Sequence, residues 1–252
     1  MTDEPGGPAA LFVKRRADAP PGLFQAEAAG LRWLAETATV PVPQIVAVDD
    51  RSIVLARVPA GQPTARGAEE LGRRLADCHA AGAPTFGAPW PGFIGPLPMD
   101  NSAEPTWARF YAERRVLPFL QAAVDRGALD LPGARTIERS LDTLSSLPGA
   151  DEPPARLHGD LWSGNVLWDP HGTAWVIDPA AHGGHRETDL AMLALFGAPH
   201  LDRTLAAYHE HRPLAAGWRE RVALHQLHPL LVHAVLFGGS YGRRAVEAAG
   251  GA

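Results

Sequence analysis

Residues 157–169 read LHGDLWSGNVLWD, and residues 175–180 read WVIDPA. Between them, the short apolar runs 166–168 and 174–177 flank a turn that contains Pro and Gly. Two apolar runs separated by such a turn are typical of paired strands, so this stretch predicts a β-hairpin. The hairpin decides the fold because it determines which polar side chains meet.

Three side chains of this stretch carry the predicted chemistry. A hairpin places the residue before its first strand beside the residue after its second, so Asn165 and Asp178 are expected together, next to Asp160. Carboxylate and amide oxygens are the ligands that Mg²⁺ prefers. In the layout typical of kinases, an Asp–Asn loop precedes a metal-binding Asp. Asp160 is therefore predicted to orient or deprotonate an attacking hydroxyl, with Asn165 and Asp178 holding Mg²⁺ against the phosphates of ATP.

Lys14 is the single lysine of a chain that has 22 arginines. It ends the apolar run Leu11–Val13, and Glu27 lies thirteen residues further on, inside a predicted helix. Kinases place a Lys on a strand of the small lobe to hold the ATP phosphates and pair it with a helix Glu. Taken alone, Lys14 would be an exposed strand-end charge and Glu27 a solvated helix residue. Their order with the catalytic stretch favours the phosphate-binding pair.

The coarse pattern predicts an α+β, two-lobed, protein-kinase-like fold. Residues 1–58 are predicted as a small N-lobe with about three strands and one helix, and residues 59–252 as a larger, mainly helical C-lobe that carries the catalytic loop and the hairpin. The small-lobe strands are predicted at 10–14, 44–48 and 52–58, with a helix at 23–37. Residues 82–101, rich in Gly and Pro, are predicted as an irregular loop. Further helices are predicted at 64–81, 104–124, 134–147, 187–196, 201–209 and 216–237, with Pro118 ending or kinking the second of these.

Kinases normally have two strands and a Gly-rich loop ahead of the Lys strand. Thirteen residues precede Lys14, and a strand, loop and strand of roughly 25 residues does not fit in that length. The N-lobe is therefore expected to lack the Gly-rich loop strands. Either the true start lies upstream or this form has lost the phosphate lid. A weakly active or inactive binding form stays open as an alternative.

The composition narrows the class of protein. The 252 residues include 46% apolar and 20% charged side chains, with a formal net charge of −5, which is typical of a globular protein. No apolar run approaches the roughly 20 residues of a membrane span. A mildly acidic chain is a poor candidate for general nucleic-acid binding. The acidic start, without an apolar stretch, and the lone Cys78 predict a cytoplasmic protein without a secretory signal or internal disulfide. The oligomeric state is left open.

The string from His158 to Asn165, together with Ile177-Asp-Pro-Ala180, resembles the fructosamine kinase (ketosamine-3-kinase) family, within the aminoglycoside-phosphotransferase-like branch of the protein-kinase fold. The resemblance covers almost the whole chain from residue 10. It implies ATP-dependent phosphorylation of the 3-hydroxyl of small-molecule or protein-bound ketosamines, with a role in deglycation repair. A kinase for another hydroxylated small molecule, such as an aminoglycoside or choline, is the alternative.

The resemblance also implies roles for single residues. Asp160 would be the base, Asn165 and Asp178 the Mg²⁺ ligands, Lys14 the phosphate anchor and Glu27 its partner. Residues 55–58 are the expected adenine-binding segment, through Leu55, Ala56 and Val58. Trp162, His158 and Asn101 are the expected substrate contacts, although Trp162 could instead fill the core under the hairpin. Asp189 is predicted to cap a helix or brace the catalytic loop.

Overall fold

The computed structural model describes residues 10–250. Its first part is a three-stranded antiparallel sheet in the order β1–β3–β2, made of β1 (Leu11–Arg15), β2 (Ile45–Val48) and β3 (Ser52–Ala56). Helix α1 (Leu23–Ala35) covers this sheet with Phe24, Ala28 and Leu31, which pack on Ile53 and Leu55. The predicted three strands and one helix of the small lobe are confirmed among the described residues. The expectation about a phosphate lid falls on residues 1–9, outside the described part.

The rest of the described chain is mainly helical. Its helices are α2 (Ala65–Ala80), α3 (Trp107–Phe110), α4 (Leu117–Asp125), α5 (Leu131–Leu141), α6 (Glu187–Phe196), α7 (Leu201–His211), α8 (Trp218–His225), α9 (Leu227–Phe237) and α10 (Tyr241–Gly250). Antiparallel strand pairs join β4 (Gly92–Ile94) to β5 (Leu97–Met99), β6 (Ala155–Leu157) to β9 (His182–Gly184), and β7 (Val166–Trp168) to β8 (Ala174–Val176). Within residues 10–250 no helix has the length and apolar character needed to cross a bilayer.

Two apolar cores hold the helical part together. One gathers α3, α4, α9 and α10 around buried side chains such as Trp107, Phe110 and Leu231. The other packs α2 and α7 against the β7–β8 hairpin and includes Leu75, Tyr208 and Val176. Because the hairpin contributes to the second core, the residues at its ends are held in fixed positions.

The segment predicted as an irregular loop, residues 82–101, contains the β4–β5 hairpin, so that prediction was wrong for residues 92–99. Each strand has three residues, and Gly92 and Pro98 lie within them, which hides the strand signal. A side chain at position 92 would lie 2.9 Å from the Asn101 amide. Glycine therefore permits close packing there rather than a loop.

The helices after residue 104 differ from the prediction in four places. Residues 216–237 form two helices that meet at Gln226, because Pro229 falls in the first turn of α9, where the missing N–H of proline is tolerated. Pro118 is the second residue of α4, which follows a π-helical segment at Tyr111–Val116. Asp130 caps α5 three residues earlier than expected, through a hydrogen bond from the Gly133 N–H. The last helix, α10, was not predicted.

Candidate active site

The β7–β8 hairpin is present as predicted. Val166 pairs with Val176, and the N–H of Ile177 donates to the Asn165 carbonyl at 3.0 Å, which extends the pairing by one residue. Asn165 therefore lies beside Ile177, and Asp178 follows immediately. Asp178 adopts a positive φ of 54°, a conformation that Asp tolerates better than most residues. The backbone therefore leaves the direction of strand β8 at Asp178.

Asn165 connects the hairpin to Asp160. Its side-chain NH₂ donates to the Asp160 carbonyl at 2.9 Å and to the Asp160 carboxylate at 3.1 Å. Since both of these bonds use the nitrogen, the amide oxygen of Asn165 is left for another ligand. The structure thus brings together the three oxygen-bearing residues that the sequence predicted would meet.

Lys14 joins this cluster from the small lobe. Its Nζ lies 2.9 Å from Glu27 Oε2 on α1 and 3.0 Å from Asp178 Oδ1. Burial alone would lower the pKa of Lys14, but the two carboxylates outweigh it and raise that pKa. The ammonium group therefore stays charged between one residue of each lobe.

Two carboxyl groups of the site, those of Asp160 and Glu27, have pKa values raised to about 7. Asp160 is half-buried, and the loss of water around its carboxyl raises its pKa to about 7, against the hydrogen bond from Asn165. Burial also raises the pKa of Glu27 to about 7, opposed by Lys14. Glu27 Oε1 has no hydrogen-bond partner among the described residues. A carboxylate whose pKa lies near 7 is suited to act as a general base at neutral pH.

Asp189 braces the catalytic loop from behind. It accepts hydrogen bonds from the N–H groups of His158 at 2.7 Å and Gly159 at 2.9 Å, and its Oδ2 lies 3.2 Å from His79 Nε2. His79 in turn contacts the Tyr208 hydroxyl at 2.8 Å. Gly159 has φ 82°, and a Cβ at this position would lie 2.2 Å from the carbonyl oxygen of Ala180. The loop that carries Asp160 is therefore fixed in one conformation.

Two of the predicted substrate contacts do not reach the site, and this corrects the expectation for His158 and Asn101. His158 is buried, its Nε2 lies 2.8 Å from the Ile177 carbonyl, and burial lowers its pKa. Asn101 is also buried; it accepts from Arg115 at 2.6 Å and donates to the Trp90 carbonyl at 3.2 Å. The polar atoms of both side chains already have hydrogen-bond partners inside the protein, so these residues position their neighbours rather than contact a substrate.

A cavity of about 380 Å³ opens over these groups. Trp162 lines it and is 40% exposed, which places it at the surface of the cavity rather than in the core. The β4–β5 hairpin region contributes two further aromatic residues, Trp90 and Phe93, which were not predicted as site residues because they lie in a stretch predicted as a loop. Charged and amide residues of the lining are Lys14, Arg15, Arg16, Glu27, Asp160, Asn165 and Asp178.

The predicted adenine-binding residues lie outside this cavity. Leu55 packs its side chain in the core of the small lobe, between strands on both sides. The N–H of Ala56 donates to the Gln44 carbonyl at 2.8 Å, so it is not free for a base. Contacts of adenine with the Ala56 carbonyl and with the half-buried Val58 stay a prediction.

Comparisons with known proteins agree on one family. A family model described as fructosamine kinase matches residues 5–249. A Thermus thermophilus protein named probable ketoamine kinase is 38% identical over 92% of this chain and 83% of its own length. A Thermobifida fusca structure assigned as a fructosamine-3-kinase superposes with a TM-score of 0.91 at 57% identity, over 96% of this chain and 84% of that one. A macrolide 2'-phosphotransferase from Brachybacterium faecium, 18% identical with a TM-score of 0.60 over 95% and 83% of the two chains, shares the fold.

Proposed function

This chain belongs to the fructosamine kinase family, and on that premise we propose that it transfers the γ-phosphoryl group of ATP to the 3-hydroxyl of a ketosamine, such as a fructosamine or ribulosamine adduct. The observation that carries the proposal is the cluster of Asp160, Asn165 and Asp178 around Lys14 at the floor of one cavity. The role we propose is deglycation repair in the cytoplasm, with residues 1–58 as the small N-lobe and residues 59–252 as the C-lobe that carries the catalytic loop and the metal-binding hairpin.

The donor set fits a divalent cation. Asn165 and Asp178 offer an amide oxygen and a carboxylate, the hard oxygen ligands that Mg²⁺ prefers. We assign these two residues as its ligands. Bound there with ATP, Mg²⁺ would neutralise charge on the transferring phosphoryl group.

Lys14 supplies the fixed positive charge of the site. In the structure its ammonium group is shared by Glu27 and Asp178. With Asp178 as a ligand of the metal ion, Lys14 would keep Glu27 as its partner and would hold the phosphates of ATP. Phosphoryl transfer depends mainly on such positioning and charge stabilisation.

Asp160 is the proposed base. Its carboxylate takes the proton of the acceptor hydroxyl as that oxygen attacks the γ-phosphorus, and the bond from the γ-phosphorus to the bridging oxygen breaks so that ADP leaves. Asn165 holds the carboxylate in place through its NH₂ group. A pKa of about 7 leaves a large fraction of Asp160 ionised at neutral pH. The brace by Asp189 keeps the loop in position for this step.

The aromatic lining supports a sugar as the acceptor. Trp162, Trp90 and Phe93 share the cavity with Asp160, and aromatic rings offer large, rigid contact surfaces to the apolar C–H faces of a sugar. Trp90 is fixed by its own hydrogen bonds, because its Nε1–H donates to the Ala181 carbonyl at 3.2 Å and its carbonyl accepts from Asn101. One wall of the cavity is therefore rigid.

The test measures ATP turnover with fructosyl-lysine and ribulosyl-lysine, and compares it with turnover of an aminoglycoside and of choline. We expect product with the ketosamines and its loss in Asp160→Asn, with Asp142→Asn, an exposed carboxylate outside the cavity, as the matched control. A preference for an aminoglycoside or choline would reject the ketosamine assignment. Thermal stabilisation by ATP and ketosamine without turnover would identify a binding form instead.

A further inference from the structure

The catalytic cavity has a basic wall that the proposed reaction does not use. Arg15 and Arg16 follow Lys14 directly and line the same cavity. The Arg15 side chain is exposed, and that of Arg16 is 40% exposed. The floor, by contrast, carries the carboxyl groups of Glu27, Asp160 and Asp178. The cavity therefore changes from an acidic floor to a basic wall.

Neither guanidinium group has a buried acidic partner among the described residues. Arg16 Nε lies 3.1 Å from Asp18 Oδ1, but the Asp18 side chain is 80% exposed. An ion pair between exposed side chains contributes little stability, so Arg16 can exchange Asp18 for an anion. Within residues 10–250, no carboxylate lies within salt-bridge distance of Arg15.

The wall shares its cavity with the aromatic residues that we propose for the acceptor. The aromatic residues Trp90, Phe93 and Trp162 belong to the same cavity, whereas the predicted adenine contacts at 55–58 do not line it. An acceptor held by its sugar near Asp160 extends its amine-bearing end along the cavity. Its anionic groups, if it has any, then come within reach of the two arginines.

A ketosamine carries a secondary ammonium group beside its sugar. When the amine comes from a free α-amino acid, a carboxylate lies one carbon beyond that ammonium. The carboxylate then matches the basic wall. A ketosamine on a protein lysine has the cation without the adjacent carboxylate.

We propose that Arg15 and Arg16 form a carboxylate subsite, and that the preferred acceptor is a glycated free α-amino acid rather than a glycated protein. This inference rests on the proposed function. It names the acceptor class of the same site, through residues that act in binding and not in the transfer step. A guanidinium group suits the task because its planar fork can bind a carboxylate through two hydrogen bonds.

The test compares fructosyl-valine with fructosyl-valine amide, which keeps the sugar and the amine and lacks the carboxylate. We expect the wild type to prefer the acid in kcat/KM by about tenfold, the size of one lost charge-assisted hydrogen bond. Arg15→Gln/Arg16→Gln should abolish that preference through KM, and calorimetry should show the same loss in acceptor affinity. Arg51→Gln, an exposed cation of the small lobe outside the cavity, should retain it.

The outcomes separate the two proposals. Turnover of both acceptors with the same ratio in wild type and double variant overturns the carboxylate subsite and leaves the kinase intact. No turnover of any ketosamine overturns the kinase and the subsite with it. In a third outcome, the double variant binds ATP more weakly than the wild type does, but binds AMP and both acceptors normally. This result would assign the arginines to the nucleotide phosphates, which also overturns the subsite.

Discussion

Lys14 Nζ and Asp178 Oδ1 lie 3.0 Å apart and link the small lobe to the hairpin that carries the site. The contact joins the last part of β1 to the turn after β8, two segments separated by most of the chain. It shows that the lobes are already close enough for one cation to serve both. It also occupies the carboxylate that we assign to Mg²⁺, so the contact has to loosen when the metal and ATP bind.

Replacing Lys14 tests its assigned role. Lys14→Met should lower kcat/KM for ATP by about a hundredfold, because a fixed charge that stabilises the transferring phosphoryl group is lost. Lys14→Arg should not restore activity, since a planar guanidinium cannot replace a compact ammonium between Glu27 and Asp178. Steady-state kinetics with ATP varied would measure both. Arg51→Gln is the control, and equal kinetics for Lys14→Met and wild type would remove Lys14 from the mechanism.

The pH dependence of turnover reports the state of Asp160. Its carboxyl must be ionised to accept a proton, and loss of water raises its pKa to about 7. We therefore expect kcat/KM for the ketosamine to fall as the pH drops below about 7, by up to tenfold per pH unit when a single group titrates. Mg²⁺ favours ionised carboxylates nearby and should move this limb to lower pH. A profile that is flat from about pH 8 down to about pH 4, near the ordinary pKa of Asp, would exclude Asp160 as the base.

The sequence predicted the centre of the site better than its walls. The meeting of Asn165 and Asp178 followed from the alternation of apolar runs and a turn, which is a local signal. His158 and Asn101 were misjudged because sequence shows which groups are polar, but not whether internal partners already satisfy them. Phe93 escaped notice because strands of three residues leave almost no periodic pattern.

Asp189→Asn tests the brace behind the catalytic loop. The substitution keeps the shape but removes the charge that strengthens the hydrogen bonds from His158 and Gly159. We expect a loss of about 2 kcal/mol in the free energy of unfolding, the size of weakened hydrogen bonds at a buried charge. Turnover should fall further, because Asp160 is carried by the same loop. Urea unfolding measures the first effect, with the exposed Asp142→Asn as control; unchanged stability and turnover would rule out the brace.

Acid stability should depend on His185, a buried residue outside the cavity. Its Nε2–H donates to the Gly149 carbonyl at 3.0 Å, its Nδ1 accepts from the Glu187 N–H, and its ring packs 4.8 Å from that of Trp107. Burial, aided by the neighbouring His225, lowers its pKa from 6.5 to about 4. The unfolded chain takes up this proton near pH 6.5, whereas the folded chain resists it until about pH 4. Stability from this group is therefore present above pH 6.5 and is lost as the pH falls towards 4, by roughly 3 kcal/mol in total.

The measurement is the difference in the pH dependence of the unfolding free energy between wild type and His185→Gln, from about pH 6.5 down to 4.5, where the unfolded-state histidines titrate. Glutamine keeps a donor for the Gly149 carbonyl and does not titrate, so the variant should lose less stability on acidification than the wild type. The comparison of two proteins is needed because Glu27 and Asp160 change the stability in the opposite direction. Their pKa values are raised to about 7, so the folded chain binds their protons before the unfolded chain does. Their contribution to stability therefore rises as the pH falls through 7. His171→Gln, at an exposed histidine, should follow the wild-type curve. Parallel curves for wild type and His185→Gln would show that His185 does not resist protonation in the folded state.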